Sequence, residues 1–528
     1  MTPFARLTDW RRDAATRDLR VAAGTAALVL ALLAWTLVPI SRQLDQSVAF
    51  REAQQQAVAP PGQGAPNTIG SSPLTSDPIA GSAAAPGRGP VGGPAGRTTV
   101  PGTGGGLSAT RNCGSLTASD QGVTSGEVRI AVADLDFDPN ISEQFGFRKD
   151  AKAIVGALVD DINRHGGVAC RKLVAKIYKL NPFVTENQRS SCLAATRDDR
   201  NFAFLDPGLL TTESTQSCVT VENKVPLIDA SPWPASYARA QAPFFISYNT
   251  DADRAARNWV YAAKEAGFFA GTRDRPFKKL SLLVCDGDGG VTEELERDLA
   301  KVGVRSYVVR KLSCVDNLVA PPSQITQFAV QDSQDNVSHV FPATFSVNVE
   351  NYLRAAKSQD FTPIYGASDL YNLTAPSFTE GFEASQWSGT VAYTATRSAE
   401  LLAGIVAPET ARCDAVLRAH GVDGIKTEWD DLARVYCDLL HMFTLGMSRA
   451  PTNPTRLGFA QAVRTIGRTS FSGGFDVIFD RPDKFSGGDF IRPLKWLPDP
   501  NCGKGDRRSG QPVNGCWTIL DPNLRPAY

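Results

Sequence analysis

From Gly126 onward the apolar residues change period repeatedly, from two to about 3.6 and back, and this alternation constrains the fold more than any other feature. Glu127-Val-Arg-Ile-Ala-Val-Ala133 alternates as a half-buried strand does. Ala151, Ile154, Val155, Leu158 and Ile162 then fall on one helical face, and Gly166-Gly167 supplies the left-handed residues that end a helix. Strands follow at Leu173–Tyr178, Phe202–Leu205 and Pro226–Asp229, separated by helices across Glu186–Thr196 and Glu213–Val221. Strands that alternate with single helices predict a parallel sheet with right-handed crossovers.

The pattern then starts again. Ala252–Ala266 reads as a helix, Lys279–Cys285 as a strand, Val291–Val302 as a helix and Val304–Arg310 as a strand. Val337–Phe341, Thr362–Tyr365 and Gly389–Tyr393 continue the strands, with a helix at Val347–Lys357. A long helix around Glu428–Met447 buries Leu432, Val435, Tyr436, Leu439, Leu440 and Phe443. Two consecutive runs in a chain of 528 residues predict an α/β protein of two lobes rather than one very large sheet.

The N-terminal part is of another kind. Residues 21–41 (VAAGTAALVLALLAWTLVPIS) carry no charge and match the ~20 residues needed to cross a bilayer. Arg6, Arg11, Arg12, Arg17 and Arg20 precede them, whereas only Arg42 and Arg51 follow closely. The positive-inside rule therefore expects a cytoplasmic tail at 1–20, a single-pass membrane anchor at 21–41 and an extracytoplasmic remainder. A cleaved signal peptide is the competing reading, although its apolar core is usually shorter. Residues 42–110 are rich in Pro, Gly and Ala and poor in charge and aromatics, which predicts a disordered linker.

Ten cysteines lie beyond this linker, and none shows a zinc-ligand spacing. An even number after a membrane segment points to disulfides in an oxidising compartment, with ten free thiols as the alternative. Pairing between sequence neighbours gives Cys113–Cys170, Cys192–Cys218, Cys285–Cys314, Cys413–Cys437 and Cys502–Cys516, although spacing alone leaves other connectivities open. The formal net charge is zero, so no nucleic-acid partner is expected. None of the four histidines sits in a catalytic motif, and no metal or other cofactor is expected. Asp286-Gly-Asp-Gly-Gly290 lacks both the Walker lysine and the length of an EF-hand loop.

Several segments, taken in order, resemble type 1 periplasmic binding proteins of the branched-chain amino-acid (Leu/Ile/Val) class, the substrate-binding proteins of ABC transporters. AIVGALVDDINRHGGVACRKLVAKIY is similar to their opening helix, turn and strand. LDPGLLTTES (Leu205–Ser214) stands in the place of their ligand loop, and PLIDASP (Pro226–Pro232) in that of a strand and turn. Phe244–Ala263 resembles the passage into the second lobe, Val340–Asp369 a strand, helix and loop, and GGFDVIFDRPDKFSGGDF the closing hairpin. The resemblance implies two Rossmann-like lobes with parallel sheets, joined by three crossing segments, within a domain at 111–528. Lobe 1 would take about 126–249 and 395–468, and lobe 2 about 250–394 and 469–528. The crossings would fall near Ser247–Thr250, Tyr393–Thr396 and Thr469–Gly473.

The same resemblance implies a ligand site at the carboxyl ends of the strands. Lobe 1 would contribute Thr211, Thr212 and Ser214, with Ser231 and Trp233 after the next strand. Lobe 2 would contribute Asp286 or Asp288, then Ser368 and Asp369, which could hold an ammonium group. The alternative for each is a helix N-cap. Asp134, Asp136, Asp138, Asp206 and Asp229 also follow strands, so an acidic cleft would favour a cationic or polyol ligand. The expected function is capture of a small polar ligand, an amino acid or related amine, for an ABC permease or another membrane protein. A ligand-sensing or envelope-assembly role on the same fold is the alternative. No enzymatic activity is expected.

Overall fold

The computed structural model describes residues 113–136, 148, 150–314, 318–502 and 513–528, which all belong to one compact unit, Val100–Tyr528. The expected tail (1–20), membrane span (21–41), linker (42–110) and Asp138 lie outside the described residues. Among the described residues, no helix is long and apolar enough to cross a membrane.

Five strands form the first sheet: β1 (Glu127–Leu135), β2 (Lys172–Leu180), β3 (Ala203–Asp206), β4 (Leu227–Asp229) and β5 (Phe245–Ser247). Their order is β2-β1-β3-β4-β5 and every pairing is parallel. The alternation read in the sequence sorts β1 between two cores. Val128, Ile130 and Val132 face the long helix Asp431–Arg449 and the helix Ala151–Arg164. Ala131 and Ala133 face the opposite layer with Cys192, Cys218 and Val219. A sheet covered on both faces in this way is what an all-parallel arrangement requires.

The second sheet contains β6 (Leu280–Cys285), β7 (Tyr307–Leu312), β8 (His339–Ala343), β9 (Ile364–Ser368), β10 (Val391–Thr394), β13 (Phe490–Pro498) and β14 (Gly515–Ile519). They follow the order β14-β13-β10-β9-β8-β6-β7, and β15 (Arg525–Pro526) pairs with β13. One face packs Trp259, Val260, Leu295 and Leu299, with the Trp259 ring stacked on Phe341 at 3.6 Å between centroids. The other packs Ile325, Tyr352, Leu353, Trp387 and Trp517.

Two expectations need correction. The second sheet is mixed, because β13 runs antiparallel to both β10 and β14. β13 reaches β10 on the chain's return from the first lobe, and an antiparallel partner needs no crossover helix within the sheet. The third crossing also falls later than Thr469–Gly473. Phe471, Val477 and Phe479 belong to the first-lobe core, and β11 (Gly467–Thr469) and β12 (Val477–Phe479) form a small antiparallel ribbon there. The Ser247 N–H donates to the Phe485 carbonyl at 2.8 Å, and Gly487 N–H donates back to Ser247 at 3.0 Å. The chain thus runs beside β5 before it enters the second sheet at Phe490. Ser472-Gly-Gly474 is no hinge: Asp438 on the long helix accepts from all three backbone N–H groups, at 2.6, 2.7 and 3.1 Å. The other two passages run from Ser247 at the end of β5 to Ala252, and from Ala399 in the second core to Leu401 against the first.

All ten cysteines are paired, as Cys113–Cys170, Cys192–Cys218, Cys285–Cys314, Cys413–Cys437 and Cys502–Cys516, with Cα separations of 5.5 to 6.4 Å. Each bond stays within one lobe. The described residues therefore close their cores and crosslinks among themselves.

Candidate ligand cleft

A cavity of about 510 Å³ lies where the carboxyl ends of the two sheets meet. Lobe 1 lines it with Leu135 at the end of β1 and with residues after β2, β3, β4 and β5, and lobe 2 with those after β6, β8 and β9. The first turn of the long helix, Asp431–Val435, closes one side. Helices and sheets splay apart at strand ends, so open α/β sheets leave their ligand space there.

The lobes also touch at the cleft. The Ala252 N–H donates to the Trp233 carbonyl at 3.0 Å. Gly289 stands so close to the opposite lobe that a Cβ atom there would lie 2.6 Å from Pro234 Cγ and 3.0 Å from Tyr237 Cζ. Its φ of +67° is the left-handed conformation that glycine adopts freely.

Of the residues expected at the site, the structure brings Thr211, Ser231, Trp233, Asp288 and Asp369 to the cavity wall. Four others lie elsewhere. Thr212 caps the short helix Glu213–Ser217, accepting from the Thr215 N–H at 3.3 Å, and Ser214 is exposed beside it at 3.0 Å. Asp286 is exposed, off the wall. Ser368 is buried and accepts from the Leu370 N–H at 3.3 Å.

Most of the described acidic residues expected after strands do not face the cleft. Asp134 pairs with Lys179, and Asp136 is exposed. Asp206 lies beneath the floor, accepting from Leu209 and Leu210 N–H at 2.8 and 2.9 Å; burial pushes its carboxyl up to about 6. Asp229, its register partner on β4, accepts from Gln216 Nε2 at 2.9 Å and is also raised, by burial and then by the Asp206 carboxylate. These acids hold loops whose N–H groups have lost their strand partners, which is why they recur at strand ends. Of the described acidic residues anticipated after strands, only Asp288 and Asp369 reach the wall. Burial raises the Asp369 carboxyl to about 6 even though Ala395 N–H and Thr374 Oγ1 donate to it.

What the sequence reading missed is the wall's aromatic character. Phe183, Tyr237, Tyr248, Phe345, Tyr371 and Trp429 all line the cavity. Tyr248 stacks on Phe471 with centroids 5.3 Å apart. Tyr371 and Asn372 both hold left-handed backbone, φ 58° and 62°, a strain that places the Tyr371 ring at the wall. Most of these rings follow a strand end within a few residues, a signal that was available in the sequence. Arg434 is the sole cation among the described lining residues. Its guanidinium donates to Glu428 at 2.8 Å and to Asp431; burial works against its charge, but these carboxylates outweigh it. Glu428 is itself pushed up to about 7 by burial.

Solved structures with this architecture decide the fold. A substrate-binding protein of an ABC transporter from Desulfitobacterium hafniense, in complex with Leu, aligns with 75% of this chain and 100% of its own at 15% identity and a TM-score of 0.51. The chain has the type 1 periplasmic-binding fold. A fatty acid ABC transporter substrate-binding protein from Thermomonospora curvata shares that fold at 14% identity over 77% of this chain and 94% of its own, with a TM-score of 0.54. So does a solute-binding protein from Rhodopseudomonas palustris BisB5 in complex with 3,4-dihydroxy benzoic acid, at 10% identity over 76% and 98%, with a TM-score of 0.53. No protein-family model and no curated protein matches the sequence. Within the type 1 fold, the cleft between the lobes is the place where the described residues leave room for a ligand.

Proposed function

We propose that this chain is an extracytoplasmic solute-binding protein. It captures a small molecule between its lobes, without chemistry, and presents it to an ABC-type permease. Residues 21–41 would hold it in the cell membrane with a cytoplasmic N-terminus, and 42–110 would give the binding domain its reach. The observation that carries the reading is the cavity of about 510 Å³ at the strand ends of both lobes, within the range of small-molecule sites. Structural neighbours in complex with Leu and with 3,4-dihydroxy benzoic acid, and one named for fatty acid transport, support the class and leave the ligand open.

The test is native mass spectrometry of the full-length chain purified from its own host. A small molecule should be carried at one per chain, and its removal should lower the melting temperature. A permease should crosslink to the same preparation. A chain that carries nothing, melts the same after exhaustive dialysis and crosslinks to no permease would overturn the reading.

A further inference from the structure

We infer that the ligand is an organic amine with an aromatic body, its ammonium group held by Asp288 between the rings of Tyr237 and Tyr371. The inference rests on the solute-binding reading and names its ligand class.

Charge comes first. Four charged side chains line the cavity among the described residues: Asp288, Asp369, Asp431 and Arg434. Arg434 is paired with Glu428 and Asp431, its buried Nε alone lacking a partner, so carboxylates outnumber cations in the described lining. A carboxylate brought against this lining would give up hydration while facing an excess of like charge. Asp288 is the reverse case. It accepts from Gly290 N–H at 3.1 Å, Thr292 N–H at 2.9 Å and the Thr292 hydroxyl, yet it makes no ion pair with a described residue. A carboxylate has about four lone-pair sites, so one remains after these three bonds.

The surroundings of Asp288 suit an ammonium group with rings attached. Tyr237 packs over the adjacent Gly289, and its ring lies 5.9 Å from that of Trp233. Burial, then nearby carboxylates including Asp288, holds the Tyr237 phenol above its usual range; burial, then Asp288, does the same for Tyr371. Both phenols therefore stay neutral near this carboxylate, and aromatic rings close to a carboxylate suit an organic cation. Gly289 also gains a reason. A side chain there would push Tyr237 away from Asp288.

Four indoles of one skeleton separate the charge states: tryptamine (cation), tryptophan (zwitterion), indole-3-ethanol (neutral) and indole-3-propionate (anion). Each is titrated into the full-length chain in nanodiscs by calorimetry. Tryptamine should bind roughly ten- to hundredfold more tightly than the other three, the range of a hydrogen bond to a charged group. D288N should remove that preference, while T292V, which loosens the same loop and keeps the charge, should retain it. Tighter binding of the zwitterion, the alcohol or the anion overturns the amine assignment and leaves the solute-binding reading standing. So does a tryptamine preference that survives in a folded D288N variant. If no indole binds while a different small molecule co-purifies, the amine assignment again fails alone.

Discussion

Replacing Gly289 by leucine tests whether the lobes close as the structure shows. The new side chain carries two separable costs. The first is backbone: φ is +67°, a left-handed region that costs an L-residue about 1–2 kcal/mol whether the cleft is open or closed. The second exists only when the lobes meet, because the Cβ alone would lie 2.6 Å from Pro234 Cγ. Overpacking of this kind costs about 1–3 kcal/mol. Charged to the closed state only, it weakens closure, and any ligand affinity that depends on closure, about 5- to 150-fold. Gly303 supplies the control, for its φ is +87° and nothing lies within 4 Å of its Cβ position. G289L and G303L should therefore lose similar thermal stability. Only G289L should show a larger radius of gyration by small-angle X-ray scattering and a raised dissociation constant for the co-purified ligand. Indistinguishable scattering and affinity in the two variants would refute the closure argument.

Three further outcomes follow from the packing. Removing the Cys192–Cys218 bond by a double alanine substitution frees a loop with a sequence separation of 26 and should cost about 3.5 kcal/mol in urea unfolding; a loss below about 1 kcal/mol would contradict the loop-entropy estimate. G366A should destabilise by about 1–3 kcal/mol in the same assay, since its Cβ would meet Trp259 Nε1 at 2.8 Å. D438N addresses pH. Burial raises the folded carboxyl to about 7, above the ordinary value of 3.8, so its stabilising protonation is complete below the ordinary value and lost as pH rises through about 7. The stability of the wild type relative to D438N should therefore fall between about pH 4 and pH 8, and a gap that widens would reverse the sign.

The fold was legible where burial follows period. The strand at Glu127 and the helix at Ala151 each carry a clean apolar pattern because each packs a fixed face on a core. The helix Pro322–Gln334 was missed because few of its residues are buried, chiefly Ile325, Ala329 and Asp332, although Pro322 in its first turn marks its start. The misplaced third crossing has a comparable cause. Gly473-Gly474 looks like a hinge until Asp438, distant in sequence, is seen to pin it. At the strand ends, several of the expected loops line the cavity, but hydroxyl and carboxyl side chains there serve two masters. Asp206, Thr212 and Ser368 satisfy backbone N–H groups, and sequence cannot tell such a staple from a ligand contact. The aromatic wall depends on six rings from separate segments converging; most follow a strand end, but no local window displays that they meet.

The five disulfides join cysteines strictly in order, first with second, third with fourth, and so to the end of the chain. A chain threaded through a narrow passage in sequence order, from the segment after 21–41 onward, exposes its cysteines in the same order. Each odd-numbered thiol then meets its proper partner before any later competitor has emerged. Rapid oxidation during passage yields the native set directly, without the reshuffling that interleaved bonds demand. An assembly line that only oxidises, and never isomerises, would suffice to finish this molecule.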